Sequence, residues 1–280
     1  MIRNISDTAL WAANYRAEES ERRDPLFRDP FARRLAGDRG RQIADAMPEK
    51  KKQTWAWVTR TYLFDSFIAQ QIAQGADMVL NLAAGLDTRP YRMSLPPSLK
   101  WIEIDLAELT DYKANLLADE RPSCSLERIS LDLSNVAARR DLFKRIGREA
   151  KKALIITEGL LIYLTADEVV QLGRDLAAQH SFQRWILEIA SPGLLGLLQK
   201  NIGKQLEAAS APLKFGPEEG PEFFLQAGWK PLEVRSMFKT AAKIKRLPMP
   251  MRLLSWLPES NGRQGNRPWS GVCLIENASS

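Results

Sequence analysis

The eleven residues from Val79 to Arg89, Val-Leu-Asn-Leu-Ala-Ala-Gly-Leu-Asp-Thr-Arg, constrain the fold of this chain more than any other stretch. They read as a buried strand, a tight turn on Gly85 and the start of a helix. Twenty positions after Gly85, Asp105 ends a second apolar run, Trp101 to Asp105. A βαβ unit with an acid at that distance is the layout of a nucleoside-binding fold, in which the carboxylate accepts hydrogen bonds from a ribose diol. A dinucleotide site needs G-x-G-x-x-G so that the backbone can approach a pyrophosphate. Here Ala83 and Ala84 precede the single Gly85, and Asp87 would repel a pyrophosphate. The turn suits a ligand that has a ribose, no phosphate and a positive charge.

The rest of the chain bounds the class. Its 280 residues allow one large α/β domain with an elaboration, and the apolar fraction of 45% is ordinary for a soluble globular protein. The N-terminus lacks the charged, apolar, small-residue order of a signal peptide. The longest apolar run, Ala153 to Leu164, is broken by Glu158 and is too short to span a bilayer. Cys124 and Cys273 have no metal-ligand spacing and read as reduced thiols of a cytoplasmic protein. The net charge of +6 is spread over short basic clusters with acids between them, which reads as a solvated surface rather than a nucleic-acid footprint. No metal, nucleic-acid or membrane partner is expected.

Along the chain, the first ~75 residues read as a helical cap, with helical periods over Thr8–Arg23 and Gln53–Gln74 and a turn-rich connector from Asp24 to Phe31. From residue 76 to the end the pattern is that of a Rossmann-like α/β domain. Strands are expected at Met78–Ala83, Trp101–Asp105, Leu126–Leu131, Ala153–Thr157 and Trp185–Ala190, as short apolar runs of a buried parallel sheet. Helices are expected between them at Ala107–Leu117, Val136–Arg148 and Ala166–Gln179. Pro192–Ala209 reads as an inserted helix, Glu218–Ala227 as a last crossover helix ending at Gly228, and Lys230–Ser236 as a sixth strand. Lys243–Asn266, with Pro248, Pro250 and Pro258, reads as loop, and Gly271–Glu276 as the final strand. Segments near 192–216 and 243–269 are then insertions on the substrate side. The whole fits an α/β fold with a seven-stranded sheet whose last strand is antiparallel. Such sheets bind ligands at the carboxyl ends of their strands, where Asn81–Asp87, Asp105, Asp132 and Glu158 all fall.

S-adenosyl-L-methionine meets the charge and shape requirements of the turn at Gly85. The same residues, together with Arg60, Glu103-Ile104-Asp105-Leu106, Asp132-Leu133, Glu158-Gly159-Leu160-Leu161-Ile162-Tyr163-Leu164 and the N-terminal Asp29-Pro30-Phe31, resemble the leucine carboxyl methyltransferase family. Within it they are most similar to the bacterial branch of S-adenosylmethionine-dependent O-methyltransferases linked to polyketides and other small molecules. The resemblance covers roughly residues 7 to 240 and implies a class I methyltransferase fold. It also implies cofactor binding by Arg60, Ala83, Gly85, Asp87, Asp105, Leu106, Asp132, Leu133 and Glu158. Arg60 would take the methionyl carboxylate, Gly85 would let the backbone pass under the cofactor, and Asp105 would hold the ribose hydroxyls. Asp132 and Leu133 would meet the adenine, and Glu158 would lie near the methionyl amino group and the sulfonium.

Each residue also has a plainer reading. Arg60 sits in an apolar helix and would otherwise pair internally with Asp65. Asp87 reads mainly as the N-cap of the following helix. Arg89 reads as a surface or interdomain salt-bridge residue, Arg16 as a surface residue with closure over the cofactor carboxylate as the alternative, and Glu158 as an N-cap or an ion pair with Arg60. Tyr163 is either a wall of the acceptor pocket or core. His180, the only histidine, reads as a solvated helix end, which leaves no histidine-based acid–base chemistry. A methyl transfer needs mostly positioning, and an acidic acceptor is already anionic at neutral pH. Glu158 and Tyr163 are the candidates lining the transfer site. The expected activity is O-methylation of a carboxylate or hydroxyl of a small molecule. A protein C-terminal carboxylate is the alternative acceptor. The alternatives of another class are an NAD-dependent oxidoreductase, against which the missing glycines and Tyr-x-x-x-Lys pair argue, and a non-catalytic cofactor-binding protein.

Overall fold

The computed structural model describes residues 6–47, 50–256 and 265–279 and places seven strands in one sheet. They are β1 Met78–Leu82, β2 Lys100–Asp105, β3 Ser125–Ser130, β4 Ala153–Thr157, β5 Phe182–Ala190, β6 Trp229–Ser236 and β7 Ser270–Asn277. Their order across the sheet is β3-β2-β1-β4-β5-β7-β6. The first five strands run parallel, and β7 is antiparallel to both of its neighbours. The order reverses between β1 and β4, which makes their carboxyl ends the switch point where open α/β sheets form a crevice.

β1 and β4 are buried at every position because both faces of the sheet are covered. The period of two sends Val79 and Leu80 to opposite sides. Val79, Trp101, Leu154 and Ile156 pack on one side against Leu63, Phe64, Phe67 and Ile68. Leu80, Ile102, Ile155 and Trp185 pack on the other against Phe143, Ile146, Val169, Leu172 and Phe224. The helices are α1 Ser6–Ser20, α2 Ala32–Ala46, α3 Lys50–Ala73, α4 Arg89–Arg92, α5 Ala107–Leu116, α6 Val136–Glu149 and α7 Ala166–Ala177, followed by α8 Pro192–Leu198, α9 Lys204–Ala208, α10 Met237–Lys243 and α11 Met249–Leu254. Trp11, Tyr15, Ile43 and Met47 from the N-terminal helices form a further apolar cluster with Ile202, Leu206 and Leu213, so that the 192–216 segment and α1 share one core.

Several elements differ from expectation. The helix after Gly85 is the single turn α4, and the layer that a long crossover helix would supply comes from α3 instead. β5 starts at Phe182 rather than Trp185: the half-buried Arg184 pairs with Glu276 on β7, 3.3 Å away, and carries the ladder through a polar stretch. α2 falls in the N-terminal segment without a separate sequence signal, because Gly37, at φ 56°, interrupts its period. The Pro192–Ala209 helix is α8 and α9 joined by a π-helical turn at Gln199–Gly203. Glu218–Ala227 is a 3-10 helix, Gly220–Ala227, that ends at Gly228 as expected. The expected loop from Lys243 contains α11, whose Pro248 is the N-cap and whose Pro250 lies in the first turn, where a missing N–H costs nothing. Pro258 lies outside the described residues. Among those residues no helix is long and apolar enough to cross a membrane, no acid, histidine or cysteine cluster could hold a metal, and both cysteines are free and buried.

Candidate functional site

A cavity of about 540 Å³ opens at the carboxyl ends of β1, β2 and β4, and α1 roofs it with Thr8, Ala9, Ala12 and Arg16. Arg60, Ala83, Gly85, Asp87, Asp105, Leu106, Asp132, Leu133, Glu158 and Tyr163 all line it. Segments as far apart in sequence as Thr8 and Tyr163 thus meet at one place, because parallel strands put all their carboxyl ends on one edge of the sheet.

The turn after β1 carries two residues with left-handed backbone, Ala83 at φ 52° and Gly85 at φ 49°. Gly85 is suited to that conformation, and a Cβ added there would stand 3.4 Å from the Ala9 Cβ on the roof. Ala83 holds it at a steric cost of about 1–2 kcal/mol. The turn presents the Gly85 N–H to Asp105 Oδ2 at 2.6 Å, while Asp105 Oδ1 accepts the Leu106 N–H at 2.7 Å. The Asp105 carboxylate is therefore fixed on the cavity wall with lone pairs left over. Burial raises its pKa against the pull of the two N–H groups. Beyond β3, Asp132 accepts the Ser134 N–H at 2.9 Å, and the Leu133 carbonyl accepts from Arg139 at 2.8 Å.

The opposite wall is ionic. Arg60 stacks on the Trp57 ring with its guanidinium carbon 4.6 Å from the centroid, donates to Glu158 Oε1 at 3.1 Å and reaches Glu188 Oε1 at 3.5 Å. It does not pair with Asp65, which is bound instead by Arg89 and Arg92. Arg89 meets the salt-bridge half of its expectation and not the surface half: it is 2% exposed and is the hub of the cluster. It meets Asp65 at 2.6 Å, Asp87 at 2.9 Å and Glu158 at 2.8 Å. Asp87 is not the N-cap of α4; Thr88 occupies that position. Asp87 instead accepts the Arg89 N–H at 2.9 Å and the Asn81 amide at 2.8 Å. Burial pushes its carboxyl up, but Arg89, Lys113 and Arg92 together hold it well below the usual range.

Arg16 is also no surface residue. Its Nε lies 2.9 Å from Asp29 Oδ2, which takes the Thr88 hydroxyl at 2.7 Å, and it donates to the Leu86 carbonyl. This ties α1 to the turn at Gly85. Tyr163 lines the cavity and packs against the Trp11–Tyr15 cluster. His180 is exposed, as expected.

Glu188 is the acid that the sequence reading passed over. Like Glu158 it is a carboxylate in an apolar stretch, Trp185-Ile186-Leu187-Glu188-Ile189-Ala190, but one that continues past it. Arg89 had no such mark, because its three carboxylate partners come from separate segments.

A model of the leucine carboxyl methyltransferase family matches residues 9–177. A protein of Frankia alni, provisionally named an S-adenosyl-L-methionine-dependent methyltransferase, is 35% identical over 59% of this chain and 61% of its own length. The chain thus spans less than two thirds of that relative. A Streptomyces avermitilis protein with the same provisional name is 33% identical over 67% of this chain and 70% of its own. Among solved structures, a DUF574-family protein of Streptomyces avermitilis superposes with a TM-score of 0.61 at 12% identity, covering 95% of this chain and 97% of the other. A structure from Thermobifida fusca, provisionally titled a methyltransferase, gives 0.60 at 15% identity over 99% and 95%. These two share the fold, which is the class I methyltransferase sheet.

Proposed function

The chain belongs to the leucine carboxyl methyltransferase family, and we propose from that premise that it methylates an oxygen, a carboxylate or hydroxyl, of a small molecule. Its cofactor is S-adenosyl-L-methionine, and its reaction class is methyl transfer from that cofactor. The cavity fits the group. It has a carboxylate fixed by backbone N–H groups for a ribose, apolar walls from Leu106, Leu131 and Leu133, and an acid-rich end for a cationic amino acid. The observation that carries the reading is Asp105, held by the Gly85 N–H across the turn that lacks pyrophosphate-binding glycines.

In this reading Asp105 holds the ribose hydroxyls, Ala83 and Gly85 form the floor, and Leu106, Asp132 and Leu133 surround the base. Arg60 turns its planar fork to the methionyl carboxylate, and Glu158 takes the amino group. Asp87 acts through Arg89, keeping that guanidinium where it orients Glu158. When bound, the cofactor supplies a methyl group made electrophilic by its sulfonium. The chain's own work is to position the reactants and to exclude water, the second through α1 and its Arg16 tie. Tyr163 and Glu158 border the space left for the acceptor. A carboxylate acceptor arrives ionised at neutral pH and asks for no base.

The roof over the cavity favours a small acceptor. Methylation of a protein C-terminal carboxylate is the second reading, favoured by the description of the family model. Incubation with methyl-labelled cofactor and a library of small acids and phenols, followed by mild alkali, separates the outcomes. Label on a small product, released as methanol from an ester or retained in an ether, is the expected result. Label found only on protein would favour the second reading, and label on nitrogen or carbon would contradict O-methylation.

A further inference from the structure

Thr157 on β4 pairs with Leu187 on β5, so the next residues, Glu158 just past the end of β4 and Glu188 inside β5, are neighbours. Glu188 Oε1 accepts the Gly159 N–H at 2.6 Å, while its Oε2 is buried with no hydrogen-bond partner among the described residues. Gly159 and Arg60 both form the cavity wall, so this carboxylate stands directly behind it. Gly159 has φ 74°, and a Cβ there would lie 3.6 Å from Arg60 Nη1. The two acids share Arg60 unequally. Glu158 takes its Nε at 3.1 Å and has Arg89 as well, whereas Glu188 has only the 3.5 Å contact. The remaining groups facing Glu188 are Arg89, the Tyr163 hydroxyl and the Cys273 thiol on β7. Burial, with Glu158 adding to it, outweighs Arg60 and the Gly159 N–H and lifts Glu188 to about 7.

We propose that Glu188 distinguishes the charged cofactor from its neutral product, S-adenosylhomocysteine, by ionising when a sulfonium occupies the wall beside Glu158. The proposal rests on the assignment of the cofactor's amino-acid end to Arg60 and Glu158. Binding of the sulfonium form releases the Glu188 proton to solvent. Methyl transfer removes the positive charge, and Glu188 regains a proton from solvent, which weakens nothing that the thioether needs. Affinity for the sulfonium form therefore rises with pH, and affinity for the thioether form does not.

The test is calorimetric titration of the full chain with each nucleoside between pH 5.5 and 7.0, below the range where a ligand α-amino group titrates. Each titration is run in two buffers of different ionisation heat. A one-unit depression of Glu188 strengthens S-adenosylmethionine binding about fourfold over that interval and leaves S-adenosylhomocysteine nearly unchanged. Proton release accompanies only the first. Glu188→Gln should abolish the dependence while keeping the thioether affinity, and Glu188→Asp should retain it. A wild-type affinity ratio that is flat with pH, or a dependence that survives in Glu188→Gln, overturns the proposal while leaving the cofactor assignment standing. Failure of the wild type to bind either nucleoside overturns both. If Glu188→Gln does not fold, the wild-type ratio and Glu188→Asp decide.

Discussion

Replacing Arg89 by Met removes one cation from three carboxylates, the buried Asp87 and the half-buried Asp65 and Glu158, while nearly conserving volume. Asp65 retains Arg92, Glu158 retains Arg60, and Asp87 retains only the Asn81 amide and one backbone N–H as close partners. Breaking a buried ion pair from one side costs about 3–5 kcal/mol, because the surviving charge stays desolvated. An unfolding entropy of about 2.1 cal/mol/K per residue converts this to a melting temperature lower by about 5–9 °C for the 280-residue chain. The pH dependence has a fixed sign. The Asp87 and Asp65 carboxyls are held below their ordinary values despite burial. They contribute stability above their unfolded pKa of about 3.9 and lose it as pH falls toward their folded values. The gap between wild type and Arg89→Met should therefore be full at pH 7 and shrink below pH 4. Urea unfolding at several pH values measures it. A gap under about 1 kcal/mol at pH 7, the size of a surface pair, or a gap that does not change with pH, would refute the assignment of Arg89 as a buried hub.

Other outcomes follow from the same geometry. Arg16→Ala should loosen α1, seen as faster amide exchange over residues 6–20 and faster nucleoside dissociation; unchanged exchange would mean that the Asp29 and Leu86 contacts do not hold the roof. Burial lifts the Cys124 thiol to about 11 and pushes Cys273 higher still. A thiol reagent at pH 8 should label neither until the chain is unfolded, and prompt native labelling of Cys273 would contradict its burial. Gly159→Ala forces a side chain into left-handed backbone and should cost about 1–2 kcal/mol, read from the urea midpoint. No loss would show that the loop relaxes freely.

The sheet could be read from the sequence because strands buried on both faces leave short apolar runs with little else in them, as in Ala153–Thr157. The cavity residues were readable for a related reason. A charge next to such a run, as at Asp105 and Glu158, is costly unless something at the strand end uses it. Glu188 carries a similar mark but lies inside a strand that runs on to Ala190, so nothing in the sequence sets it at a strand end. The burial of Arg89 and Arg16 had no local mark at all. Their partners, Asp65, Glu158, Asp29 and the Leu86 carbonyl, are brought to them only when α1 and α3 close on the sheet. The helix α11 is hidden in the sequence for another reason, since prolines at a helix start look the same as prolines in loops.

The central claim is that this cavity holds S-adenosylmethionine through Asp105. Titration of the wild type and Asp105→Ala with S-adenosylmethionine, S-adenosylhomocysteine and NADH tests it most directly, with circular dichroism to show that both proteins are folded. The expected result is binding of the two sulfur nucleosides, none of NADH, and a loss of about 1.5–3 kcal/mol in Asp105→Ala, roughly 10- to 150-fold in affinity. Binding of NADH, or a folded Asp105→Ala that binds the sulfur nucleosides as tightly as the wild type, would contradict it.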